Sequence, residues 1–187
     1  MIKTVIFDFF GVLRTDGYKA WLTHQNIPHE GAYYDLSRRS DLALLNEEEF
    51  FQELSDLVGR TVTEDEMDQS TAIYTDVVAI AERVGKQYPV GLLSNAPGEY
   101  LRTILAQHDL ERLFTTIVIS SEIGMVKPDR NIFEYILDKM GAIAEETIFI
   151  DDSPLNVQGA KSVGINAIRF ESPEQLKKDL AAFGVAV

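Results

Sequence analysis

The chain of 187 residues contains no cysteine, which excludes a disulfide framework, a zinc–thiolate site and a cysteine nucleophile. It also lacks any run of the roughly 20 apolar residues that a membrane-spanning helix needs. Its first residues, MIKTVIFDFF, hold one lysine and too short an apolar run for a secretory signal peptide. These absences fit a reducing compartment, so we expect a cytoplasmic protein with no membrane partner.

Basic residues are in short supply, because 17 Lys and Arg stand against 30 Asp and Glu and give a formal net charge of −13. A sequence-independent grip on nucleic acid needs clustered Lys and Arg, so the composition argues against a nucleic-acid partner. Such acidity also repels a phosphorylated ligand. A phosphate site in this chain would therefore need local cations, such as a metal ion and a well-placed lysine. The composition indicates no particular oligomeric state.

Five short apolar runs rich in β-branched residues recur along the chain. Each is too short for a helix and too uniformly apolar for a sheet with one wet face, so we predict buried parallel strands. Helical patterns separate the last four runs, which predicts a doubly wound, Rossmann-like α/β sheet with right-handed crossovers. The runs are residues 4–7, 90–93, 116–119, 147–150 and 167–170.

About eighty residues between the first two predicted strands contain no strand-like run. Two of their segments have capping-box spacing, in which a helix-capping residue is followed three residues later by Glu. These are Asn46 with Glu49, and Thr63 with Glu66. We predict a helix after each box, the second running unbroken to residue 81. The sequence therefore predicts an all-helical cap over 14–84, inserted into an α/β core formed by 1–13 and 85–187.

Polar side chains follow four of the predicted strands, at the edge where doubly wound sheets bind ligands. They are Asp8, the pair Ser94 and Asn95, Lys127, and the pair Asp151 and Asp152. Each cluster alone has an ordinary explanation as a turn, a helix cap or a surface residue. Two adjacent carboxylates closing an apolar strand are nevertheless costly unless a cation compensates them. Carboxylate oxygens of this kind suit Mg²⁺.

Taken together and in this order, the four clusters resemble the motifs of the haloacid dehalogenase superfamily, with a helical cap inserted after the first motif. The resemblance implies a phosphatase-type, Mg²⁺-dependent hydrolase of a small phosphorylated metabolite. In that reaction Asp8 attacks phosphorus and forms an aspartyl-phosphate. The resemblance further implies that Ser94 and Asn95 bind the transferring group, while Lys127 steadies Asp8 and the phosphoryl oxygens.

The resemblance also implies a metal site. Asp8, the backbone carbonyl of Phe10 and Asp152 would bind Mg²⁺, with Asp151 as a supporting or second ligand. Phe10 departs from the phosphatase pattern, which usually has a second Asp two residues after the nucleophile as general acid and base. A phenyl ring cannot transfer a proton, and such help is typically worth about 10²–10⁴ in rate.

A substitute for the missing acid would have to come from the cap or its surroundings. Asp16, His24 and other cap residues are candidates, and the sequence does not choose among them. Substrate selection is also expected to lie in the cap, where aromatic and arginine side chains could face the site. These are Arg14, Tyr18, Trp21, Tyr34, Arg38 and Arg39.

Two other functions stay open. A metal-independent 2-haloacid dehalogenase attacks carbon and tolerates an aromatic residue at position 10. The pair Asp151 and Asp152 argues against it, because a metal-free halide-displacing site has no use for two extra negative charges. A non-catalytic metal- or phosphate-binding relative is supported by Phe10 alone.

Overall fold

Five parallel strands form one sheet in this computed structural model, which describes residues 1–69 and 71–187. The strands are β1 (Thr4–Phe7), β2 (Val90–Ser94), β3 (Thr116–Ile119), β4 (Thr147–Asp151) and β5 (Asn166–Arg169). Their order across the sheet is β3-β2-β1-β4-β5, and every neighbouring pair is parallel. The predicted doubly wound, Rossmann-like sheet is confirmed. From β1 the strand order runs one way to β2 and β3 and the other way to β4 and β5, so the switch point lies between β1 and β4. Such folds bind ligands at this point.

Ten α-helices accompany the sheet within the described residues. They are α1 (Gly17–His24), α2 (Ala32–Asp41), α3 (Glu47–Val58), α4 (Glu64–Asp68), α5 (Thr75–Gly85), α6 (Gly98–Gln107), α7 (Ser120–Ile123), α8 (Arg130–Met140), α9 (Pro154–Ser162) and α10 (Pro173–Ala182). The first capping box forms as predicted, since the side chains of Asn46 and Glu49 each accept the other's backbone N–H at 2.9 Å. None of these helices is long and apolar enough to cross a bilayer.

The central strands are largely apolar because helices cover both faces of the sheet, whereas the edge strand β5 contains Asn166 and Arg169. Side chains alternate across β1, so that Val5 and Phe7 pack with buried residues of α5, α6 and α10. Ile6 points to the other face and packs with Phe133 of α8 and Ala160 of α9. Because the strands are parallel, the polar residues at the ends of the central strands lie together at the carboxyl edge of the sheet.

The predicted helix from Thr63 to residue 81 is wrong, because the structure has α4 and α5 in its place. Thr63 makes no side-chain cap, since the Glu66 carboxylate instead accepts Arg60 at 2.7 Å and the indole N–H of Trp21 at 2.9 Å. Between the helices, Ile73 bridges Arg14 in an antiparallel pair, so the two chain segments that connect cap and sheet pair with each other. Ser70, which the prediction also included, lies outside the described residues.

The cap helices α1 to α4 have an apolar cluster of their own. Its buried members are Trp21, Leu22, Leu36, Phe50, Leu54 and Val62. Helix α5 belongs elsewhere, because its buried residues Val77 and Ile80 pack in the cluster that contains Val5 and Phe7. This packing favours a cap that ends before α5 rather than at residue 84. The division into 14–84 and 1–13 with 85–187 stays a prediction.

Candidate active site

The structure brings the predicted polar residues together at the carboxyl edge of the sheet. Asp8 directly follows β1, Ser94 ends β2 and Asp151 ends β4, while Lys127 lies in the loop between α7 and α8. The carboxylates of Asp8, Asp151 and Asp152 each offer an oxygen within 4.8 Å of the others. Clusters separated by more than a hundred residues in the chain therefore form one site.

Lys127 forms the centre of this site. Its ammonium lies 2.7 Å from Asp8 Oδ1 and 2.7 Å from Asp151 Oδ2, and all three side chains are almost fully buried. The ammonium also lies 5.4 Å from the centre of the Phe149 ring. Asp8 Oδ1 accepts a second hydrogen bond, from the N–H of Phe9 at 2.7 Å. These contacts fix the Asp8 carboxylate and leave its Oδ2 without a donor among the described residues.

Asp151 has every side-chain oxygen engaged. Its Oδ1 accepts the N–H of Ser153 at 2.8 Å and the amide of Asn156 at 3.0 Å, while its Oδ2 accepts Lys127. A carboxylate with this many donors is held in one orientation. The geometry favours Asp151 as the residue that positions Lys127, rather than as a direct metal ligand. Its predicted place in a metal site stays untested.

Asp152 has the opposite arrangement. Its Oδ1 is buried without a hydrogen-bond partner among the described residues, while its Oδ2 lies 3.5 Å from the ammonium of Lys19. Gly11 makes room for this carboxylate, because a Cβ there would lie 2.6–2.9 Å from the Asp152 carboxylate atoms, and its φ of 86° suits glycine. The Phe10 carbonyl has no donor among the described residues. Two carboxylates and a free carbonyl are oxygen ligands that fit Mg²⁺.

The site contains more acidic than basic side chains, since Asp8, Asp151 and Asp152 lie beside Lys127 and Lys19. Burial raises the pKa of the Asp8 carboxyl well above its usual range, and Asp151 raises it further against the opposing effect of Lys127. Burial also raises the pKa of Asp152, although Lys19 lowers it. For Lys127, burial lowers the pKa but the two neighbouring carboxylates raise it more, so the ammonium stays protonated. A divalent cation would relieve this excess of negative charge.

The loop after β2 contributes two side chains of different kinds. Ser94 Oγ is fully buried and has no hydrogen-bond partner among the described residues, and Ser94 is not among the described residues that line the cavity beside Asp8. Asn95 instead accepts the N–H of Lys127 at 2.8 Å and donates to its carbonyl at 3.0 Å. Asn95 therefore fixes the backbone of Lys127. Direct contact of either residue with a substrate stays a prediction.

Phe10 stacks on Tyr100 of α6, with ring centres 5.9 Å apart and an angle of 11° between the planes. Arg14 donates to the Tyr100 hydroxyl at 2.9 Å, and that hydroxyl donates to Asp68 of the cap at 2.9 Å. Arg14 is itself buried and also donates to Thr71 at 2.7 Å. The side chain at position 10 thus joins the contact between cap and core and offers no proton.

A cavity of about 550 Å³ lies between the site and the cap. Asp8, Lys127 and Asp152 line it from the sheet, and Tyr18, Tyr34 and Arg38 of the cap candidates line it from above. The other candidates do not line it within the described residues. Trp21 is buried in the cap cluster, Arg39 pairs with Glu53 at 2.7 Å, and Arg14 lies at the contact described above.

Six charged residues that line the cavity were not predicted from the sequence: Lys19, Asp41, Glu47, Glu64, Asp68 and Glu99. Lys19 of α1 lies 3.2 Å from Asp16 and reaches Asp152, so that a cap cation touches a core carboxylate. Burial lowers the pKa of Lys19, but Asp16 and Asp152 raise it above its usual value. Asp41, at the end of α2, also lines the cavity. No spacing in the sequence connects Lys19 or Asp41 to the strand ends, because only the folded cap places them there.

Comparison with known proteins identifies the family of the chain. The model of one protein family, described as haloacid dehalogenase-like hydrolase, matches residues 5–170. D-ribitol-5-phosphate phosphatase from Bacteroides thetaiotaomicron is 25% identical over 204 residues, covering 96% of this chain and 97% of that protein. Phosphoglycolate phosphatase from Aliivibrio fischeri is 29% identical over 100 residues, covering 53% of this chain but only 44% of that protein.

A solved structure shows the same fold. A haloacid dehalogenase family enzyme from Bacteroides thetaiotaomicron, in complex with magnesium and inorganic phosphate, superposes with a TM-score of 0.70. The two chains are 23% identical, and the match covers 91% of this chain and 95% of the other. The family predicted from the order of the four motifs is confirmed by the family match.

Proposed function

We propose that this chain, which belongs to the haloacid dehalogenase-like hydrolase family, hydrolyses a small phosphate monoester with Mg²⁺ through an aspartyl-phosphate on Asp8. One observation carries the proposal: Lys127 holds Asp8 at 2.7 Å in a buried site, beside an unpartnered oxygen of Asp152. The phosphatases among the relatives support a phosphatase-type hydrolase. The substrate and the mechanism are the parts proposed here.

Asp8 is arranged as a nucleophile. Lys127 and the N–H of Phe9 both bind its Oδ1, which orients the carboxylate before substrate arrives. The same ammonium lies where negative charge builds up on a phosphoryl group bound at Asp8, so it stabilises the transition state. Ser94 Oγ, buried and without a partner among the described residues, would donate to another phosphoryl oxygen.

Mg²⁺ fits the remaining oxygens. Asp8, Asp152 and the Phe10 carbonyl would hold it, and bound Mg²⁺ would neutralise charge on the phosphoryl oxygens. The magnesium and phosphate in the similar solved structure support this choice of cofactor. The ammonium of Lys19 lies 3.2 Å from the Asp16 carboxylate and 3.5 Å from the Asp152 carboxylate. If Lys19 kept only its contact with Asp16, the Asp152 carboxylate would be free to bind the metal.

The charges around the cavity favour a substrate whose leaving group carries no further negative charge. Among the described residues that line it, eight are acidic and three are basic. Each of the three basic residues already has an acidic partner, Arg38 pairing with Asp129 at 3.0 Å and the lysines as described above. The stacked rings of Phe10 and Tyr100 add an apolar wall. A neutral polyol or sugar phosphate fits these features, as the ribitol-5-phosphate phosphatase also suggests.

The two alternatives predict different chemistry. A metal-independent dehalogenase would not need Asp152 with a buried, unpartnered oxygen beside Asp8. Burying Lys127 between two carboxylates carries a desolvation cost, and a non-catalytic relative would have no reaction that requires this arrangement. A cytoplasmic location and the absence of nucleic-acid or membrane partners stay predictions from composition.

Turnover of p-nitrophenyl phosphate by the full chain tests the proposal, because nitrophenolate leaves with little need of protonation. We expect hydrolysis that requires Mg²⁺, stops with EDTA and is lost in Asp8→Asn. Asp138→Asn, at an exposed position of α8 outside the cavity lining, is the matched control and should retain activity. Halide release from 2-chloropropionate without metal would establish the dehalogenase instead. A folded protein that turns over neither substrate would support the non-catalytic relative.

A further inference from the structure

Hydrolysis of an alkyl phosphate leaves an alkoxide that must be protonated, and position 10 supplies no acid. Three nearby candidates are unsuitable. Asp16 already accepts the N–H of Lys19 at 3.0 Å and pairs with its ammonium. His24 is exposed on α1 and lies outside the described residues that line the cavity. The Tyr100 hydroxyl donates its hydrogen bond to Asp68. Burial raises the pKa of Tyr100 to about 12, so this hydroxyl is too weak an acid to release its proton at neutral pH.

Asp41 is a carboxyl group that lines the same cavity as Asp8 and Lys127. Its backbone carbonyl accepts Ser120 Oγ at 2.6 Å, and that hydroxyl accepts the N–H of Ala96 at 3.0 Å. The end of α2 is thereby tied to the loop after β2, directly beside the residues that hold Lys127. The Asp41 side chain accepts no hydrogen bond from the described residues and is therefore free to meet a ligand.

The surroundings of Asp41 suit reversible proton transfer. Burial, followed by the charge of Asp16, raises the pKa of its carboxyl to about 7, against the opposing effects of Lys127, Lys19 and Arg38. Its position at the C-terminal end of α2 also disfavours negative charge. An acid–base catalyst works best when its pKa lies near the working pH, because both protonation states are then populated.

We propose that Asp41 is the general acid and base of the phosphatase reaction, a role that rests on the proposed function. First, an Asp8 oxygen bonds to phosphorus, the ester P–O bond breaks, and the Asp41 carboxyl gives its proton to the departing alkoxide. Next, a water oxygen bonds to phosphorus, the P–O bond to Asp8 breaks, and the Asp41 carboxylate takes the water proton. Ester and water thus become alcohol and phosphate, and both carboxyl groups return to their starting states.

The first half-reaction separates this role from a structural one. In Asp41→Asn, we expect phosphoryl transfer from glycerol 3-phosphate to slow by about 10²–10⁴. The rapid first release of nitrophenolate from p-nitrophenyl phosphate should stay within about tenfold of the wild-type rate, because that leaving group needs no acid. Rapid mixing with Mg²⁺ measures both rates. In the wild type, the rate on glycerol 3-phosphate should fall as pH rises through about 7, and this dependence should vanish in Asp41→Asn.

Asp35→Asn makes the same change at an exposed position of the same helix and should leave both rates unchanged. Asp41→Glu, which keeps a carboxyl, should recover part of the activity on glycerol 3-phosphate and keep its pH dependence even if Asp41→Asn folds poorly. Equal slowing on both substrates, or no slowing on either, would overturn the proposal for Asp41. If the wild-type protein turns over neither ester, the proposed function itself fails, and the two failures are therefore distinguishable.

Discussion

The ammonium of Lys127 lies 2.7 Å from the carboxylate of Asp8, and neither side chain is appreciably exposed. The same ammonium binds Asp151 at the end of the neighbouring strand. One cation therefore joins two strand ends whose carboxylates would otherwise repel each other. Loss of a single partner from a buried ion pair is far more damaging than loss of a surface pair, because the remaining charge stays buried without compensation.

Lys127→Met should abolish turnover and lower the free energy of unfolding by about 3–5 kcal/mol, since it leaves Asp8 and Asp151 buried without their cation. Denaturant unfolding of the metal-free protein measures the change. Lys161→Met is the matched control, because Lys161 is exposed on α9 and should change stability by only about 0.5 kcal/mol. Equal effects of the two substitutions would show that Lys127 does not compensate the buried carboxylates.

The adjacent acids Asp151 and Asp152 should respond differently to the same substitution. Asp151→Asn removes the carboxylate that binds Lys127, Ser153 and Asn156, so it should lower the free energy of unfolding by about 3–5 kcal/mol. Asp152→Asn removes a carboxylate with an unpartnered oxygen, so it should leave the metal-free protein as stable as before or more stable.

The stabilisation by Mg²⁺ should also differ between variants of Asp151 and Asp152. A ligand present at about 100 times its dissociation constant stabilises a protein by about 2.7 kcal/mol. Unfolding with and without Mg²⁺ should show such a gain in the wild type and none in Asp152→Asn. A full Mg²⁺ response in Asp152→Asn would contradict its assignment as a ligand, and its loss in Asp151→Asn alone would assign the metal to Asp151 instead.

The raised pKa of Asp41 predicts a pH-dependent stability. A carboxyl whose pKa is about 7 in the folded protein and about 3.9 unfolded favours folding at low pH, and this contribution is lost as pH rises from about 4 through about 7. Between pH 4 and pH 8, Asp41→Asn should therefore lose less stability than the wild type, by up to about 4 kcal/mol. Denaturant unfolding in EDTA at both pH values measures the difference. Parallel changes in the two proteins would show that the Asp41 pKa is not raised.

The acidic cavity predicts discrimination by charge. A polyol phosphate such as ribitol 5-phosphate should have a kcat/KM at least about tenfold above that of phosphoglycolate, equivalent to about 1.4 kcal/mol in the transition state. Salt screens exposed charges, so the ratio should narrow as ionic strength rises. A preference for phosphoglycolate at low salt would indicate that a cap cation such as Arg38 leaves its acidic partner to bind the carboxylate.

The strands and the strand-end residues could be predicted because buried parallel strands leave an unmistakable pattern. Their apolar runs are continuous, and an acid such as Asp8 or Asp151 at the end of such a run is conspicuous. Because parallel strands end at the same edge of the sheet, the residues that follow them can be predicted to lie together even though their side-chain contacts are unknown.

The cap contacts could not be predicted, because they depend on how one packed unit meets another. Lys19 and Asp41 lie on helices α1 and α2. The apolar patterns of these helices predict packing inside the cap but not contact with the sheet. The capping box predicted at Thr63 failed for a similar reason, since the Glu66 carboxylate accepts Arg60 and Trp21 rather than the backbone at the start of α4. Local capping signals fail where a tertiary partner competes for the same carboxylate.

Covalent capture of the intermediate tests the central assignment most directly. The protein is mixed with Mg²⁺ and p-nitrophenyl phosphate, quenched in acid at short times and weighed intact by mass spectrometry, and the modified peptide is then sequenced. We predict the addition of one phosphoryl group on Asp8, formed at least as fast as turnover and absent from Asp8→Asn. Turnover that persists in Asp8→Asn, or that proceeds with no adduct at any quench time while phosphate is released, would contradict the account.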